Sequence, residues 1–437
     1  MAETDRKDPW ERLKALPMGR HVEVSDDEGH TWKGTVVPRH ELSGDRILPL
    51  KLENGYNVGL YIEPGFAVRV SEEEPHRVTE GEVSSPPLRP SSGASVTLLT
   101  TGGTIASRVD YDTGGVRPVK EEREILAFYP ELERTGPVHI VPVFDRLSED
   151  ITPDDWVVLA GKVVEAFRDG ARGVVVAHGT DTLGFTAAGL SFLLRDLPGP
   201  VVLVGAQRSP DRPSSDGAPN LDAAVTLARE GGFGEVVVLM HAGLSDDRFA
   251  FHRGTWVRKM HSSRRDAFES RNASPLGFVE GGSVHVHGPV RPALAGPPQV
   301  DGPIDDRAAL LWFYPGLGAD QARAFVAGRR GVVLAGTGLG HVASLHLGWI
   351  REATETGTVV AMTTQCLGGN ADPFVYATGR ELVRGGVLYL DDLLPETAYA
   401  KMLWALGHAS EPDGVRRLLR RDIAGEFVNR HEEPLAP

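Results

Sequence analysis

The 437-residue sequence predicts a small N-terminal β-barrel followed by a larger α/β region built on parallel sheets. Short stretches of alternating polar and apolar residues occur within the first 75 residues, and the hairpin dipeptide Asn54-Gly55 follows one of them. Further along the chain, short apolar runs alternate with helical patterns. That alternation is typical of strands buried on both faces of a parallel sheet.

Changes in composition predict the domain boundaries. The β-barrel covers residues 1–75, and a linker rich in Glu, Pro and Ser covers 76–94. Two α/β lobes follow, over 95–287 and 305–437, and a Pro/Gly-rich linker over 288–304 joins them.

Individual elements of the two lobes are marked by their own signals. The clearest helix begins after Thr152 as N-cap, has Pro153 in its first position, and ends at Gly170. A long amphipathic helix is predicted over 395–406. The apolar runs that predict parallel strands are 96–100, 173–177, 201–204, 235–239, 331–335 and 358–362.

Composition narrows the class of protein. The formal net charge of −14 disfavours the wrapping of nucleic acid over most of the surface. Cys366 is the single cysteine, which excludes an internal disulfide and a Cys-rich zinc site. No apolar run approaches about 18 residues, and the first residues lack the apolar core of a secretory signal. We therefore expect a cytoplasmic protein.

Small and hydroxylated residues stand where the predicted strands end. Ligands of open α/β sheets bind outside the carboxyl ends of the strands, so we expect a site at this edge. The segments are 100–104, 178–182, 205–207, 336–338 and 363–365.

Two of these segments carry groups suited to catalysis. Gly102 and Gly103 allow a sharp turn that presents the Thr104 hydroxyl as a nucleophile, although a phosphate-binding turn or a plain loop has the same pattern. Thr180 and Asp181 offer a second hydroxyl and a carboxylate that can orient an ammonium group, or they simply cap the next helix.

Taken together, the two segments resemble the two signatures of the bacterial-type L-asparaginase family. They read Thr-Gly-Gly-Thr-Ile-Ala at 101–106 and His-Gly-Thr-Asp-Thr at 178–182. The resemblance covers roughly residues 95–437 and implies a two-lobed α/β/α fold with parallel sheets.

The resemblance also implies a catalytic set. Thr104 is the expected nucleophile on a side-chain amide, Thr180 and Lys259 form a second catalytic group, and Asp181 holds the substrate α-amino group. A threonine hydroxyl needs a base, and a desolvated Lys259 acting through Thr180 is suited to that role. Because Lys259 follows Arg258 in a basic stretch, a solvated surface patch is the alternative.

Substrate-binding residues follow from the same resemblance. Ser148 is expected to bind the substrate α-carboxylate, beside Glu149 where many asparaginases have Gln. Gly103 and Gly179 are further binding positions, and backbone N–H groups near Gly103 are suited to an oxyanion. Tyr111 is an expected lid residue, near but not at the usual place of the family tyrosine. The resemblance implies no metal and no nucleotide cofactor in this chain.

The N-terminal extension narrows the resemblance. Residues 38–43 and 52–59 are similar to the N-terminal barrel of the D-subunit family of archaeal-type glutamyl-tRNA(Gln) amidotransferases. Segments 205–209, 336–341 and 362–367 agree with it, so this resemblance spans almost the whole chain.

That narrower family implies a glutaminase that supplies ammonia to a partner. The expected partner, the E subunit of the amidotransferase, binds Glu-tRNA(Gln), uses ATP and Mg²⁺ to activate the glutamyl carboxylate, and receives the ammonia. A homodimer of this chain is the expected core of a heterotetramer. Residues 368–373 depart from the family sequence. A free-standing asparaginase or glutaminase and a non-catalytic scaffold are the alternatives.

Overall fold

The computed structural model of the chain describes residues 8–17, 19–27, 29–37, 45–52, 57–71, 96–102, 107–109, 116–118, 136–208 and 215–428. The candidate site residues Gly103, Thr104 and Tyr111 lie outside the described residues, as do the Asn54-Gly55 turn and the predicted linker over 76–94. Within those ranges, no helix combines the length and apolar character that crossing a membrane requires.

The N-terminal domain is a five-stranded antiparallel sheet with one helical turn against it. Its elements are α1 (Trp10–Leu13), β1 (His21–Ser25), β2 (Thr31–Val36), β3 (Ile47–Leu52), β4 (Asn57–Tyr61) and β5 (Ala67–Val70). They pair in the order β4-β3-β2-β1-β5. Alternate side chains face a shared interior, so Val22 and Val24 are buried with Trp10 and Leu50. The predicted barrel is thus present as a five-stranded antiparallel sheet.

The first lobe is built on an eight-stranded sheet. Its strands and ribbons are β6 (Val96–Thr100), β7 (Ser107–Val109), β8 (Val116–Pro118), β9 (Val138–Pro142), β10 (Gly173–Ala177), β11 (Leu194–Arg195), β12 (Val201–Val204), β13 (Val236–His241), β14 (Arg248–Arg253), β15 (Val257–Lys259), β16 (Phe268–Ser270), β17 (Gly277–Glu280) and β18 (Ser283–Val286). The order is β18-β17-β14-β13-β12-β10-β6-β9. Strands β9, β6, β10, β12 and β13 are parallel, which confirms the four predicted strands of this lobe.

Helices cover this sheet, and the first of them shows the predicted signals. They are α2 (Pro153–Arg168), α3 (Leu183–Leu193) and α4 (Gly217–Glu230). In α2, the Asp155 carboxylate accepts the Thr152 backbone N–H at 2.8 Å, and Pro153 occupies the first position. Gly170 lies beyond the last turn with a φ of 93°, in the left-handed region that glycine adopts without strain.

The second lobe carries a four-stranded parallel sheet. Strand β19 (Gln299–Val300) precedes this lobe. The elements of the lobe are β20 (Ala308–Trp312), α5 (Ala319–Val326), β21 (Gly331–Gly336), α6 (Leu347–Glu355), β22 (Val359–Thr364), α7 (Ala377–Arg384), β23 (Leu388–Tyr389), α8 (Pro395–His408) and α9 (Pro412–Arg420). The order β20-β21-β22-β23 confirms the two predicted parallel strands.

Helix α8 departs from its prediction. The sequence predicts an amphipathic helix, but most of α8 is buried, including Lys401 on its polar side. The reason is that α8 lies between the lobes, packed on α3 of the first and on β21 of the second. Trp404 of α8 stacks on Phe192 of α3 with ring centroids 6.3 Å apart. One apolar core therefore spans both lobes.

Candidate active site

The carboxyl ends of β6 and β10 are held together by a side-chain hydrogen bond. Thr101 donates its hydroxyl to the Ala177 carbonyl at 3.1 Å, and its side chain is buried. Gly102 follows with a φ of 93°, and a Cβ there would lie 2.5 Å from the Arg146 carbonyl oxygen. Glycine is therefore required at this turn both for its backbone angle and for the close approach of Arg146.

A second close approach brings Ser148 to the loop after β10. A Cβ at Gly179 would lie 2.7 Å from the Ser148 Cβ, so only glycine leaves space there. Thr182 donates its hydroxyl to the Ser148 carbonyl at 2.5 Å. Ser148 in turn donates its hydroxyl to the exposed Glu149 carboxylate at 3.2 Å. The structure thus brings three of the predicted binding residues, Ser148, Glu149 and Gly179, to one place.

Lys259 forms hydrogen bonds with two predicted site residues of this loop, Thr180 and Asp181. Its Nζ donates to Thr180 Oγ1 at 2.8 Å and to Asp181 Oδ1 at 2.7 Å. The Lys259 side chain is 14% exposed, whereas that of Asp181 is 69% exposed. Lys259 therefore does not lie in a solvated basic patch but points into the loop that carries Thr180.

The position of Lys259 depends on a separate two-stranded ribbon. Among the strands that the structure describes, β15 and β16 pair only with each other, with Lys259 opposite Phe268. Met260 continues the ribbon by donating its N–H to the Ala267 carbonyl at 2.6 Å. The ribbon therefore holds Lys259 opposite Phe268, nine residues further along the chain.

His178, at the start of the loop that carries Thr180, is buried and hydrogen-bonded to that loop. The ring is fully buried, and burial lowers the pKa of His178 to about 4. The ring is therefore neutral near pH 7, with Nδ1 donating to the Gly179 carbonyl at 2.7 Å and Nε2 accepting from the Thr186 hydroxyl at 3.0 Å. His178 is not among the predicted site residues, although a histidine directly after a buried strand is a usable signal.

A buried carboxylate orders the loop after β12. Asp216 is fully buried and accepts the backbone N–H of Gln207 at 3.0 Å and of Arg208 at 2.9 Å. Asn220 adds a third hydrogen bond to it at 3.1 Å. The loop in turn packs on the site, because a Cβ at Gly205 would lie 2.6 Å from the Thr180 Cγ2. Asp216 is likewise absent from the predicted site residues.

The predicted site positions fall into three groups. Thr180, Asp181 and Lys259 form one hydrogen-bonded group, and Ser148, Glu149 and Gly179 form its neighbour. Gly103, Thr104 and Tyr111 lie outside the described residues, so their placement stays a prediction. Across the part of the chain that is described, no group of three or more His, Cys, Asp or Glu side chains is placed to hold a metal ion.

Family models match this architecture in three segments. A model described as Asparaginase, N-terminal, matches residues 95–291, and one described as Glutaminase/Asparaginase C-terminal domain matches 307–419. A third, described as GatD N-terminal domain, matches 16–70. The chain belongs to the asparaginase family, and its N-terminal sheet places it in a particular branch of that family.

The curated relatives identify the branch. The chain is 43% identical over 409 residues to the D subunit of the glutamyl-tRNA(Gln) amidotransferase of Saccharolobus islandicus, and the match covers 93% of this chain and 92% of the relative. It is 43% identical over 415 residues to the corresponding D subunit of Pyrococcus horikoshii, at 94% coverage of each. The branch is that of the amidotransferase D subunits.

Solved structures agree with the fold of the two lobes. The thermostable L-asparaginase from Thermococcus kodakarensis has a TM-score of 0.70 and 34% identity, and the match covers 77% of this chain and 99% of the asparaginase. L-asparaginase I from Vibrio cholerae has a TM-score of 0.66 and 28% identity over the same shares.

Proposed function

We propose that the chain hydrolyses glutamine and supplies the ammonia to a partner protein that converts Glu-tRNA(Gln) to Gln-tRNA(Gln). The observation that carries the proposal is the Lys259 ammonium, hydrogen-bonded to both Thr180 and Asp181 beside a loop that Ser148 adjoins. The D-subunit relatives match nearly the full length of the chain, which supports glutamine and tRNA as the wider context.

In the proposed reaction, the Thr104 hydroxyl attacks the side-chain amide carbon. Lys259 acts in this step as the neutral amine: through Thr180 it accepts the hydroxyl proton, and it then passes that proton to the leaving nitrogen. The C–N bond breaks, ammonia leaves, and an ester to Thr104 remains. Water then attacks the ester, which releases glutamate and restores the hydroxyl. Backbone N–H groups near Gly103 stabilise the oxyanion of each tetrahedral intermediate.

Substrate binding changes the contacts of the base in this proposal. Ser148, with Glu149 beside it and Gly179 against it, receives the α-carboxylate, while Asp181 receives the α-ammonium. Asp181 now holds the Lys259 ammonium at 2.7 Å, so the incoming substrate competes for that carboxylate. Once Asp181 is engaged by substrate, Lys259 keeps its contact with Thr180. Tyr111 closes over the bound substrate.

The assembly is proposed on the same basis. The E subunit of the amidotransferase is the partner; it binds Glu-tRNA(Gln) and uses ATP and Mg²⁺, and the present chain needs no cofactor of its own. A homodimer of this chain forms the core of a heterotetramer in the cytoplasm. Within the chain, we propose functional units over 1–75, 95–287 and 305–437. Removal of residues 1–90 is then expected to leave amide hydrolysis intact and to weaken coupling to the partner.

A free-standing asparaginase is the second candidate. It is favoured by the likeness of the two lobes to L-asparaginases over 77% of the chain. Glutamine and asparagine share the α-amino acid end and differ by one methylene, which is worth about 1–3 kcal/mol in a pocket. The N-terminal domain, matched by the GatD N-terminal model over 16–70, argues for the coupled glutaminase.

One experiment separates the two. Ammonia release is measured from glutamine and from asparagine, with the full chain alone and with the E subunit plus Glu-tRNA(Gln). Release that rises on adding partner and tRNA supports the coupled glutaminase. Fast release that ignores both additions supports the free-standing enzyme. The variant Thr104→Ala is expected to release no ammonia in either case, and activity in it would remove Thr104 as the nucleophile.

A further inference from the structure

The ribbon that carries Lys259 also contacts the second lobe. Neighbouring side chains on a strand point to opposite faces, so Arg258 points away from the face that presents Lys259. Its guanidinium lies 3.3 Å from a carboxylate oxygen of Glu396, with side-chain exposures of 20% and 14%. Two adjacent residues of β15 therefore make different contacts: Lys259 contacts Thr180, and Arg258 contacts α8.

The first turn of α8 makes a second contact with the same segment. Thr397 donates its hydroxyl to the Thr255 carbonyl at 2.8 Å, and both side chains are buried. Glu396 occupies the first turn of α8, where the helix dipole favours a carboxylate. The beginning of α8 thus holds the chain just before and within β15.

The ion pair between Arg258 and Glu396 is incompletely made. One guanidinium nitrogen of Arg258, Nη1, and one carboxylate oxygen of Glu396, Oε2, are buried without a hydrogen-bond partner in the described structure. Guanidinium and carboxylate groups commonly form two parallel hydrogen bonds, and buried unpaired polar atoms are costly. Nη1 lies on the Cδ side of the guanidinium and cannot form such a pair of bonds together with Nε, so Arg258 and Glu396 meet at a single contact, between Nε and Oε1.

We propose that Glu396 is a positioning residue, which sets the place of Lys259 through Arg258. The proposal rests on the proposed role of Lys259 as the base. The second lobe then contributes to hydrolysis without touching the substrate, because the contact between Glu396 and Arg258 fixes Lys259 against Thr180. A displacement of about 1 Å of a reacting group can cost on the order of a hundredfold in rate.

The test uses the full chain and glutamine hydrolysis. Glu396→Gln is expected to lower kcat roughly tenfold with KM within about twofold of the parent, since the substrate contacts are unchanged. Glu396→Asp keeps the charge at the helix end but withdraws it from Arg258, and the same fall in kcat is expected. A role limited to stabilising α8 would leave kcat of the Asp variant at the parental value. That result overturns the proposal even if Glu396→Gln folds poorly.

A matched control lies on the same ribbon, and a double-mutant cycle tests the contact between Arg258 and Glu396. Glu269 pairs with Arg258 in the register of the ribbon but binds Arg271 at 3.1 Å on its exposed side. Glu269→Gln is therefore expected to keep the parental kcat. The double variant Arg258→Gln, Glu396→Gln is expected to be no slower than the slower single variant, because both changes remove one contact.

A separate measurement tells apart failure of this inference and failure of the proposed function. Lys259→Met is assayed beside the others. If Lys259→Met is inactive while both Glu396 variants keep the parental kcat, the positioning role is wrong and the base assignment stands. If Lys259→Met keeps the parental kcat, the base assignment is wrong, and the positioning role falls with it.

Discussion

The ammonium of Lys401 lies 2.5 Å from a carboxylate oxygen of Glu426, and neither side chain is accessible to solvent. Burial lowers the pKa of Lys401 and raises the pKa of Glu426, while their mutual attraction opposes both shifts. Lys401 also donates to the carbonyls of Leu419 and Arg421, each at 2.7 Å. The pair therefore ties the segment after α9 to the centre of α8.

Removal of one partner of this pair is expected to be costly. Lys401→Met leaves the Glu426 carboxylate buried without its cation, and we expect a loss of about 3–5 kcal/mol in the free energy of unfolding. The double variant Lys401→Met, Glu426→Gln is expected to recover part of that loss. Urea denaturation measures both. Equal stability of the single variant and the parent would show that the pair contributes nothing.

Lys259→Met is expected to lower kcat for amide hydrolysis by about 10² to 10⁴, the usual contribution of a general base. The matched change is Lys162→Met, because Lys162 pairs with Glu165 at 2.6 Å on the surface of α2. Steady-state ammonia release measures both variants. Parental turnover by Lys259→Met, or an equal loss in Lys162→Met, contradicts the assignment.

Gly179→Ala tests the close approach of the loop to Ser148. The added Cβ would lie 2.7 Å from the Ser148 Cβ, so one of the two segments must move. We expect KM to rise roughly tenfold, which corresponds to a loss of about 1.4 kcal/mol in substrate binding. Gly161→Ala is the control: it lies within α2, the added Cβ meets nothing within 4 Å apart from its chain neighbours and the adjoining helix backbone, and alanine favours a helix there. Unchanged KM in Gly179→Ala would separate Ser148 from substrate binding.

His178 is expected to make stability depend on pH. Its pKa falls from 6.5 to about 4 on folding, so the unfolded chain binds more protons between these values. Stability is therefore lost as pH falls from about 6.5 to about 4, by up to ~3 kcal/mol for this residue. His252, whose pKa burial also lowers to about 4, adds a similar slope. Denaturation of His178→Gln along this pH range should show a shallower slope than the parent; an identical slope counts against the buried neutral ring.

Local signals predict local structure well in this chain. Residues in or next to the end turns of α2 predict where the helix begins and ends: Thr152 and Pro153 mark its start, and Gly170 marks its end. Strand β10 is a short, continuous apolar run and β6 is mostly apolar, which is why both are recognisable without any partner.

Contacts between distant segments are the part that the sequence could not predict. Arg258 and Glu396 meet across the two lobes, and no spacing rule connects them. In α8, Lys401 suggests a solvent-exposed face because a lone lysine is normally exposed. Its carbonyl and carboxylate partners come from α9 and the segment after it, so its burial depends on the tertiary fold. The family resemblance predicts the lysine of the site, whereas no periodic pattern does.

The burial of α8 by both lobes has a mechanical consequence. Trp404 packs on Phe192 in the first lobe, while the same helix covers β21 in the second. A hinge between the lobes would have to expose one side of an apolar helix to water, at about 25 cal/mol for each Å². We therefore expect the two lobes to unfold together in a single cooperative step, and neither lobe to stay folded on its own.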